Sequence, residues 1–328
     1  MSKQVTIADV AKRVGVSRST VSHVLTKKRP ISKEVQRRVH DAIEELGYQP
    51  SIAARMLREK RSRIIGFLVD TTINPTAGLT CQLLADAFRQ KGYTALTAVC
   101  GTDRETAFTT MKQLSSGFCD GILNLLPQIS VQEAITTCYP VPVVTFMRGA
   151  HDAPIHVDFE AGYNRALDHL WQLGHRRIGI IVDDRSQSMD DRDEPKLVAY
   201  RQYMESRGCY DSRFVRHGAG TIDDGAALGA MLYRQGCTAI MAGNDMMACG
   251  VFSWAKEENV RIPQDLSVIG YDDIPLARLL TPTLTTLQHP AADTIVPTVE
   301  AMIDKIEGKT HPKQEHIVVP RFVRREST

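Results

Sequence analysis

From Ile64 onward, short runs of β-branched and aliphatic residues alternate with longer stretches of helical periodicity. No other feature restricts the chain as much. The runs predicted as strands are 64–69, 94–99, 121–126, 143–146, 178–182, 239–242 and 266–269. The helical stretches between them are 80–91, 105–115, 162–173, 196–207, 225–234 and 246–258. Parallel strands cannot be joined by tight turns, so a strand–helix–strand rhythm implies parallel sheets covered by helices on both faces. With 328 residues, 43% of them hydrophobic, the chain can build a sizeable core and is too apolar to be disordered. In sheets of this kind ligands bind outside the carboxyl ends of the strands.

The first 63 residues follow different rules. Ile7, Val10, Ala11 and Val14 fall on one helical face. Thr6 suits the N-cap, with Asp9 in the first turn, and Gly15 breaks the pattern. Ser17 can cap a second short helix, 18–25, whose inward side is Val21, Val24 and Leu25. A third helix from Ser32 turns Val35, Val39, Ala42, Ile43 and Leu46 inward and ends at Gly47. Two short helices joined by a tight turn containing Gly form a helix-turn-helix. The outward side of the second helix carries Ser17, Arg18, Ser19, Ser22 and His23 and no carboxylate. A helix that enters the DNA major groove needs such donors; a plain packing helix with a solvated basic face does not.

Charge divides the chain at the same place. The 40 Lys+Arg and 38 Asp+Glu leave a net charge of +2. The first 63 residues hold 15 basic and 6 acidic side chains and the rest 25 and 32, so a +9 module precedes a −7 body. That asymmetry suits an anionic partner at one end only.

TIADVAKRVGVSRSTVSHVL at 6–25 and EELGYQPSIAARML at 44–57 closely resemble the lac repressor/purine repressor family of bacterial transcription regulators. The resemblance implies a small all-α helix-turn-helix headpiece and a periplasmic-binding-protein-like α/β body of two doubly wound parallel-sheet subdomains. The implied domains are a headpiece at 1–50, a hinge helix and linker at 51–63 and a body at 64–328. Within the body, one subdomain takes about 64–161 and 290–320 and the other about 162–289. The implied DNA contacts are Thr6, Ser17, Arg18, Ser19, Thr20, Ser22, His23, Arg29 and Tyr48. Arg18 and Ser19 match the two positions that vary most with operator sequence. Ser51, Ala54, Leu57 and Arg58 match a hinge helix that forms on DNA, where Leu57 would wedge between base pairs in the minor groove. The wedge competes with a plain charged linker.

The body continues the match through VDFEAG at 157–162, LGHRRIGII at 173–181, AGNDMMACG at 242–250, IPQDLSVIGYDD at 262–273 and TPTLTTLQHP at 281–290. On this resemblance Thr72, Asn74, Thr76, Arg148, Arg192, Lys196, Asn244 and Asp272 are expected to bind a small-molecule effector. A turn or cap carboxylate is the competing role for Asp272, or for its neighbour Asp273. Departures from the family bear on the ligand. Lys196 stands where the family clamps its effector with Arg, and Asn74-Pro75 is followed by Thr76-Ala77 instead of stacking aromatics. A lysine is a point donor, not a bidentate fork. Arg148, Arg192 and Lys196 together suit a sugar acid or sugar phosphate. The expected function is a dimeric regulator, in its expected form a repressor, that binds palindromic double-stranded operator DNA under effector control. A solute-binding protein is the alternative.

Other classes are disfavoured by what the chain lacks. The seven cysteines form no Cys-x-x-Cys pair, so zinc or redox chemistry is not expected, and buried free thiols are. Phosphate-loop, dinucleotide and nucleophile-elbow signatures are missing, so no cofactor and no enzyme activity are expected. Asp183, Asp184, Asp190, Asp191, Asp193 and Glu194 alternate with basic residues and read as a solvated, self-paired loop. Neither a signal sequence nor a membrane span is apparent, so a cytoplasmic, non-membrane protein is expected.

Overall fold

The computed structural model describes residues 5–26, 29–48, 61–145, 155–183, 194–309 and 316–328. The chain divides into two compact units, Met1–Ser62 and Arg63–Thr328.

In the first unit, α1 (Ile7–Val14), α2 (Arg18–Thr26) and α3 (Lys33–Leu46) enclose Val10, Ala11, Val14, Val21, Val24, Val39 and Ala42. The caps anticipated from sequence are in place. The Asp9 carboxylate accepts from the Thr6 backbone N–H at 2.8 Å and from its hydroxyl at 2.7 Å. Ser17 Oγ accepts from the Thr20 N–H at 3.1 Å, and Ser32 Oγ from that of Val35 at 3.4 Å. Gly15 and Gly47 end α1 and α3 with φ of 74° and 62°, a left-handed conformation that costs glycine little. With so small a core, each satisfied helix end is a large share of the unit's stability.

The second unit contains two main sheets. The first has the order β2-β1-β3-β4, all parallel: β1 (Ile64–Val69), β2 (Thr94–Val99), β3 (Gly121–Asn124) and β4 (Val143–Thr145). Its helices are α4 (Pro75–Gln90), α5 (Arg104–Ser115) and α6 (Val131–Cys138). After β5 (Ile155–Val157) comes α7 (Phe159–Gln172), then β6 (Ile178–Asp183), α8 (Pro195–Ser206), β7 (Val215–Gly218), α9 (Ile222–Arg234), β8 (Ala239–Ala242), α10 (Asp245–Glu257), β9 (Ser267–Asp272) and β10 (Thr285–Gln288). Helix α11 (Ala291–Glu307) then returns to the first sheet, where Ile295, Val299 and Met302 pack with Ile65, Phe67 and Val144. Two strands follow, β11 (His316–Val318) and β12 (Arg321–Val323). The second sheet has the order β12-β10-β9-β8-β6-β7, with β12 antiparallel to β10. Strands β5 and β11 pair with each other in parallel. The chain thus passes between the two layers three times: near β5, between β10 and α11, and between β11 and β12.

Strands β1, β2 and β8 run over the predicted residues. Strand β3 stops at Asn124, two residues early, and β9 runs on to Asp272. Strands β1, β3, β6 and β8 are apolar almost throughout and buried on both faces, as parallel strands under two helical layers must be. All seven cysteines are free. Burial pushes the Cys119 thiol up to about 12 and that of Cys138 to about 11, which leaves neither as a ready thiolate.

Helices α9 and α10 touch through glycine. A Cβ on Gly225 would run into the Met247 carbonyl, and one on Gly250 into that of Ile222. Gly250→Ala is therefore expected to destabilise the body by at least about 1–3 kcal/mol, the usual cost of overpacking. Denaturant unfolding followed by the fluorescence of Trp254, which lies on α10, checks this.

Candidate functional site

On α2 the residues predicted to read DNA are displayed as the helical pattern requires. Ser17, Arg18 and Ser19 are exposed, and Thr20, Ser22 and His23 are half-buried. Ser17 Oγ lies 2.7 Å from Ser19 Oγ and 2.8 Å from Thr20 Oγ1, so three hydroxyls cluster at the helix N-terminus. Helix N-termini suit phosphate because their leading N–H groups and dipole face an anion. Arg29 is exposed. Thr6 is committed to its cap with Asp9, and Tyr48 packs at the edge of the three-helix core. Ser51, Ala54, Leu57 and Arg58 lie outside the described residues.

In the body, polar side chains gather at the carboxyl ends of the parallel strands. Asn74 caps α4 by accepting from the Thr76 N–H at 2.8 Å. Its amide donates to the Asp272 carboxylate at 3.1 Å, joining the β1–α4 loop of the first sheet to the end of β9 in the second. Thr72 is exposed on the same loop. Lys196, in the first turn of α8, is buried; its ammonium donates to the Gly243 carbonyl at 2.7 Å and sits 4.0 Å from the Tyr271 ring centroid. Asn244 caps α10 by accepting from the Met247 N–H at 2.8 Å. Its amide donates to Asp183 at 3.0 Å and to the Gly220 carbonyl at 3.2 Å. Lys196, Asn244 and Asp272 are therefore brought to one edge of the second sheet, and Asn74 meets them from the first. Arg148 and Arg192 lie outside the described residues.

The two adjacent aspartates divide their work. Asp273 is the structural one: its side chain is buried, Arg325 and Arg278 both bind it, and the Arg325 partner is itself largely buried. Asp272 is half-buried and accepts from the Asn74 amide of the first sheet. Both have positive φ, 120° and 59°, a region non-glycine residues rarely occupy.

Two neighbours, Tyr271 and Asp245, were not singled out from sequence, and two others, Asp183 and Glu194, were given a different role. The expected solvated acidic loop fails at both ends. Asp183 is the buried last residue of β6, and Glu194 is a buried cap that accepts from the Leu197 N–H at 2.6 Å. An acidic run masks such roles, because ladder pairing and helix capping depend on neighbours that composition does not reveal. Residues 184–193 lie outside the described set. Tyr271 supplies the aromatic face under Lys196. Asp245 is fully buried, and desolvation first, then the Asp272 charge, push its carboxyl up to about 7 against hydrogen bonds from Thr286 and Ile274. Among the described residues no group of three or more His, Cys, Asp or Glu is placed to hold a metal ion. No helix there is long and apolar enough to cross a membrane.

A helix-turn-helix module together with an α/β body whose polar groups collect at a cleft defines a DNA-binding regulator with a small-molecule site. Residues 6–51 match the model for bacterial regulatory proteins of the lacI family, and 167–328 that for a periplasmic binding protein-like domain. The chain is 31% identical to the HTH-type transcriptional repressor PurR of Klebsiella pneumoniae over 98% of its own length and 96% of the relative's. It is 29% identical to the ribose operon repressor of Haemophilus influenzae, over 98% of both chains. Its fold matches that of a lac repressor dimer bound to operator and the anti-inducer ONPF, with a TM-score of 0.85, 23% identity and 99% of both chains covered. The chain belongs to the lacI family of bacterial regulatory proteins: it is a DNA-binding transcriptional regulator and not an enzyme.

The buried Asp273–Arg325 pair generates a stability prediction. Removing one partner of a buried ion pair leaves the other desolvated and alone, at a cost of about 3–5 kcal/mol. Asp273→Ala should lower the unfolding free energy by an amount of that order, whereas Asp272→Ala should leave stability largely unchanged. Parallel urea titrations of the two variants check this.

Proposed function

We propose that the chain is an operator-specific transcriptional repressor, cytoplasmic and homodimeric, controlled by a small polar metabolite that binds at the cleft of the body. In this reading residues 1–50 form the DNA-reading head, 51–63 the hinge and 64–328 the effector-binding and dimerising body. The observation that carries it is the Asn74–Asp272 hydrogen bond, which ties the first sheet to the second at the carboxyl ends of their strands. A ligand that donates to Asp272 competes with Asn74 there. Cleft geometry, and with it the hinge, then responds to ligand through differential affinity for two arrangements.

Asp272 accepts from ligand hydroxyls, Asn74 and Thr76 approach from the first sheet with Thr72 beside them, and Asn244 holds the wall by binding Asp183. Lys196, with Arg148 and Arg192, supplies positive charge for a sugar acid or sugar phosphate in preference to a neutral sugar. Titration calorimetry of the full chain with a neutral sugar and the aldonic acid of the same carbon length tests this. The acid should bind more tightly, and preference for the neutral sugar rules the acidic class out.

At the head, Ser17, Ser19, Thr20, Ser22 and His23 surround Arg18, with Arg29 and Tyr48 near the phosphates and Thr6 fixing the start of α1 beside them. One short helix reads few base pairs, so a dimer on a near-palindrome supplies the rest. A solute-binding role alone leaves this head without a task. With operators obtained by selection of bound genomic DNA, Arg18→Ala should relax base preference at one half-site position by about 1–3 kcal/mol. A uniform loss over all sequences would mark Arg18 as a phosphate contact. Leu57→Ala should reduce operator bending in a gel-mobility assay while the body stays folded, because an unstacking wedge is lost.

A further inference from the structure

We propose that Asp245, buried within the body, is the positioning residue for Asp272: it fixes the backbone that carries the Asp272 carboxylate and couples its own charge to that carboxylate. The proposal rests on the reading of Asp272 as an effector contact. Asp245 opens α10, and its two oxygens grip two different strands' ends. Oδ2 accepts from the Ile274 N–H at 2.9 Å, two residues beyond Asp272, and Oδ1 accepts from the Thr286 hydroxyl on β10 at 2.6 Å. The chain leaves room for this and nothing larger, since a Cβ on Gly270 would run into Asp245 Oδ1.

The segment between these anchors is twisted. Asp272 at φ 120° and Asp273 at φ 59° occupy the region that favours glycine, and such conformations persist only where surroundings over-determine them. Here the surroundings are Asp245 on the Ile274 N–H and Arg325 on the Asp273 carboxylate. Without the first anchor, the residues from Asp272 to Ile274 can relax and turn the carboxylate away from Asn74.

The charge coupling follows from the same contacts. The titratable groups facing Asp245 are Asp272 and Asp273 at the end of β9 and Cys249 on its own helix; the cations Arg325 and Arg278 are engaged by Asp273. Burial, reinforced by Asp272, raises the Asp245 carboxyl to about 7, so its proton comes and goes at neutral pH beside the ligand-facing carboxylate. The folded chain keeps this proton up to about 7, whereas the unfolded chain releases it near 3.8, so folded stability falls as pH rises through that window and levels off above it.

Three readouts on the full-length chain test the proposal. Carboxyl-carbon NMR, with Asp272 assigned through Asp272→Asn, should show an inflection of the Asp272 signal near neutral pH that disappears in Asp245→Asn. In that isosteric variant the amide oxygen can accept from the Ile274 N–H and the amide NH2 can donate to Thr286 Oγ1, reversing that one bond, so it should fold, hold the backbone and lose its share of the fall in stability between pH 3.8 and about 7. In Asp245→Ala, hydrogen exchange of the Asp273 and Ile274 amides should quicken several-fold while the head and the first sheet exchange as before. A neutral-pH inflection that survives in Asp245→Asn overturns the charge coupling. Unchanged exchange in Asp245→Ala overturns the positioning role. Should Asp245→Ala fail to fold, Thr286→Val takes its place, because it removes one anchor and keeps the side-chain volume; unchanged exchange there overturns the role equally. None of these readouts needs a bound effector. The role of Asp272 itself is tested separately, by loss of ligand binding in Asp272→Asn, so either idea can fail alone.

Discussion

Parallel strands must be covered on both faces, and the body of this protein follows from that requirement. A strand buried above and below has little place for polar side chains unless each finds a partner, as Thr285 and Thr286 of β10 do. Ile65, Phe67 and Leu68 in β1 and Ile178, Ile180 and Val182 in β6 are buried accordingly. Polar chemistry is driven to the strand ends. At the carboxyl ends the next segment is a helix N-terminus, whose unpaired N–H groups call for capping side chains. Asn74, Asp158, Asn244 and Glu194 fill such positions. The candidate site therefore draws on residues whose first duty is to begin a helix. Asn74 and Asn244 each cap with the carbonyl oxygen and keep the amide for another carboxylate, Asp272 and Asp183 respectively.

The same economy places a buried acid behind the site. Asp245 lies beyond the reach of solvent, yet it binds Ile274 and Thr286 and so connects α10, the end of β9 and β10. Buried polar groups of this kind rigidify what they join when each is satisfied. Arg325, close to the carboxyl terminus, secures Asp273 from the other side, and the Ser327 hydroxyl donates to the Val268 carbonyl. The final residues of the chain thus help to hold the loop that presents Asp272.

The head works under a different balance. Its core is small, and helix caps carry much of its order. Its charge is +9 against −7 for the rest, so DNA attracts one end of the chain and repels the other. Long-range charge favours one end of the chain for phosphate, and in the proposed reading the hydroxyls and Arg18 on α2 are left to discriminate bases.

Much of this was legible in the order of residues. The three helices of the head, their caps, and the strands 64–69 and 239–242 follow from periodicity, because burial on one face or both writes itself directly into the spacing of apolar residues, while the strand at 94–99 forms as expected although most of it is exposed. What escaped was short or polar: β7 with its sequence VRHG, β10 with TTLQ, and the two strands at 316–318 and 321–323. These exist because a neighbouring strand offers partners, not because of any preference of their own. Helix α11 was missed as well, since it carries Pro297 within it and is held by packing against the first sheet. By itself the sequence determined the two-part design, the helix-turn-helix and the family. Only the tertiary structure decided that Asp273 is locked to Arg325 while Asp272 stays half-buried, and that Asn74 reaches Asp272 across 198 positions. Neighbouring aspartates are chemically identical in a sequence, and their roles diverge only once folding gives each a different dielectric surrounding and a different partner.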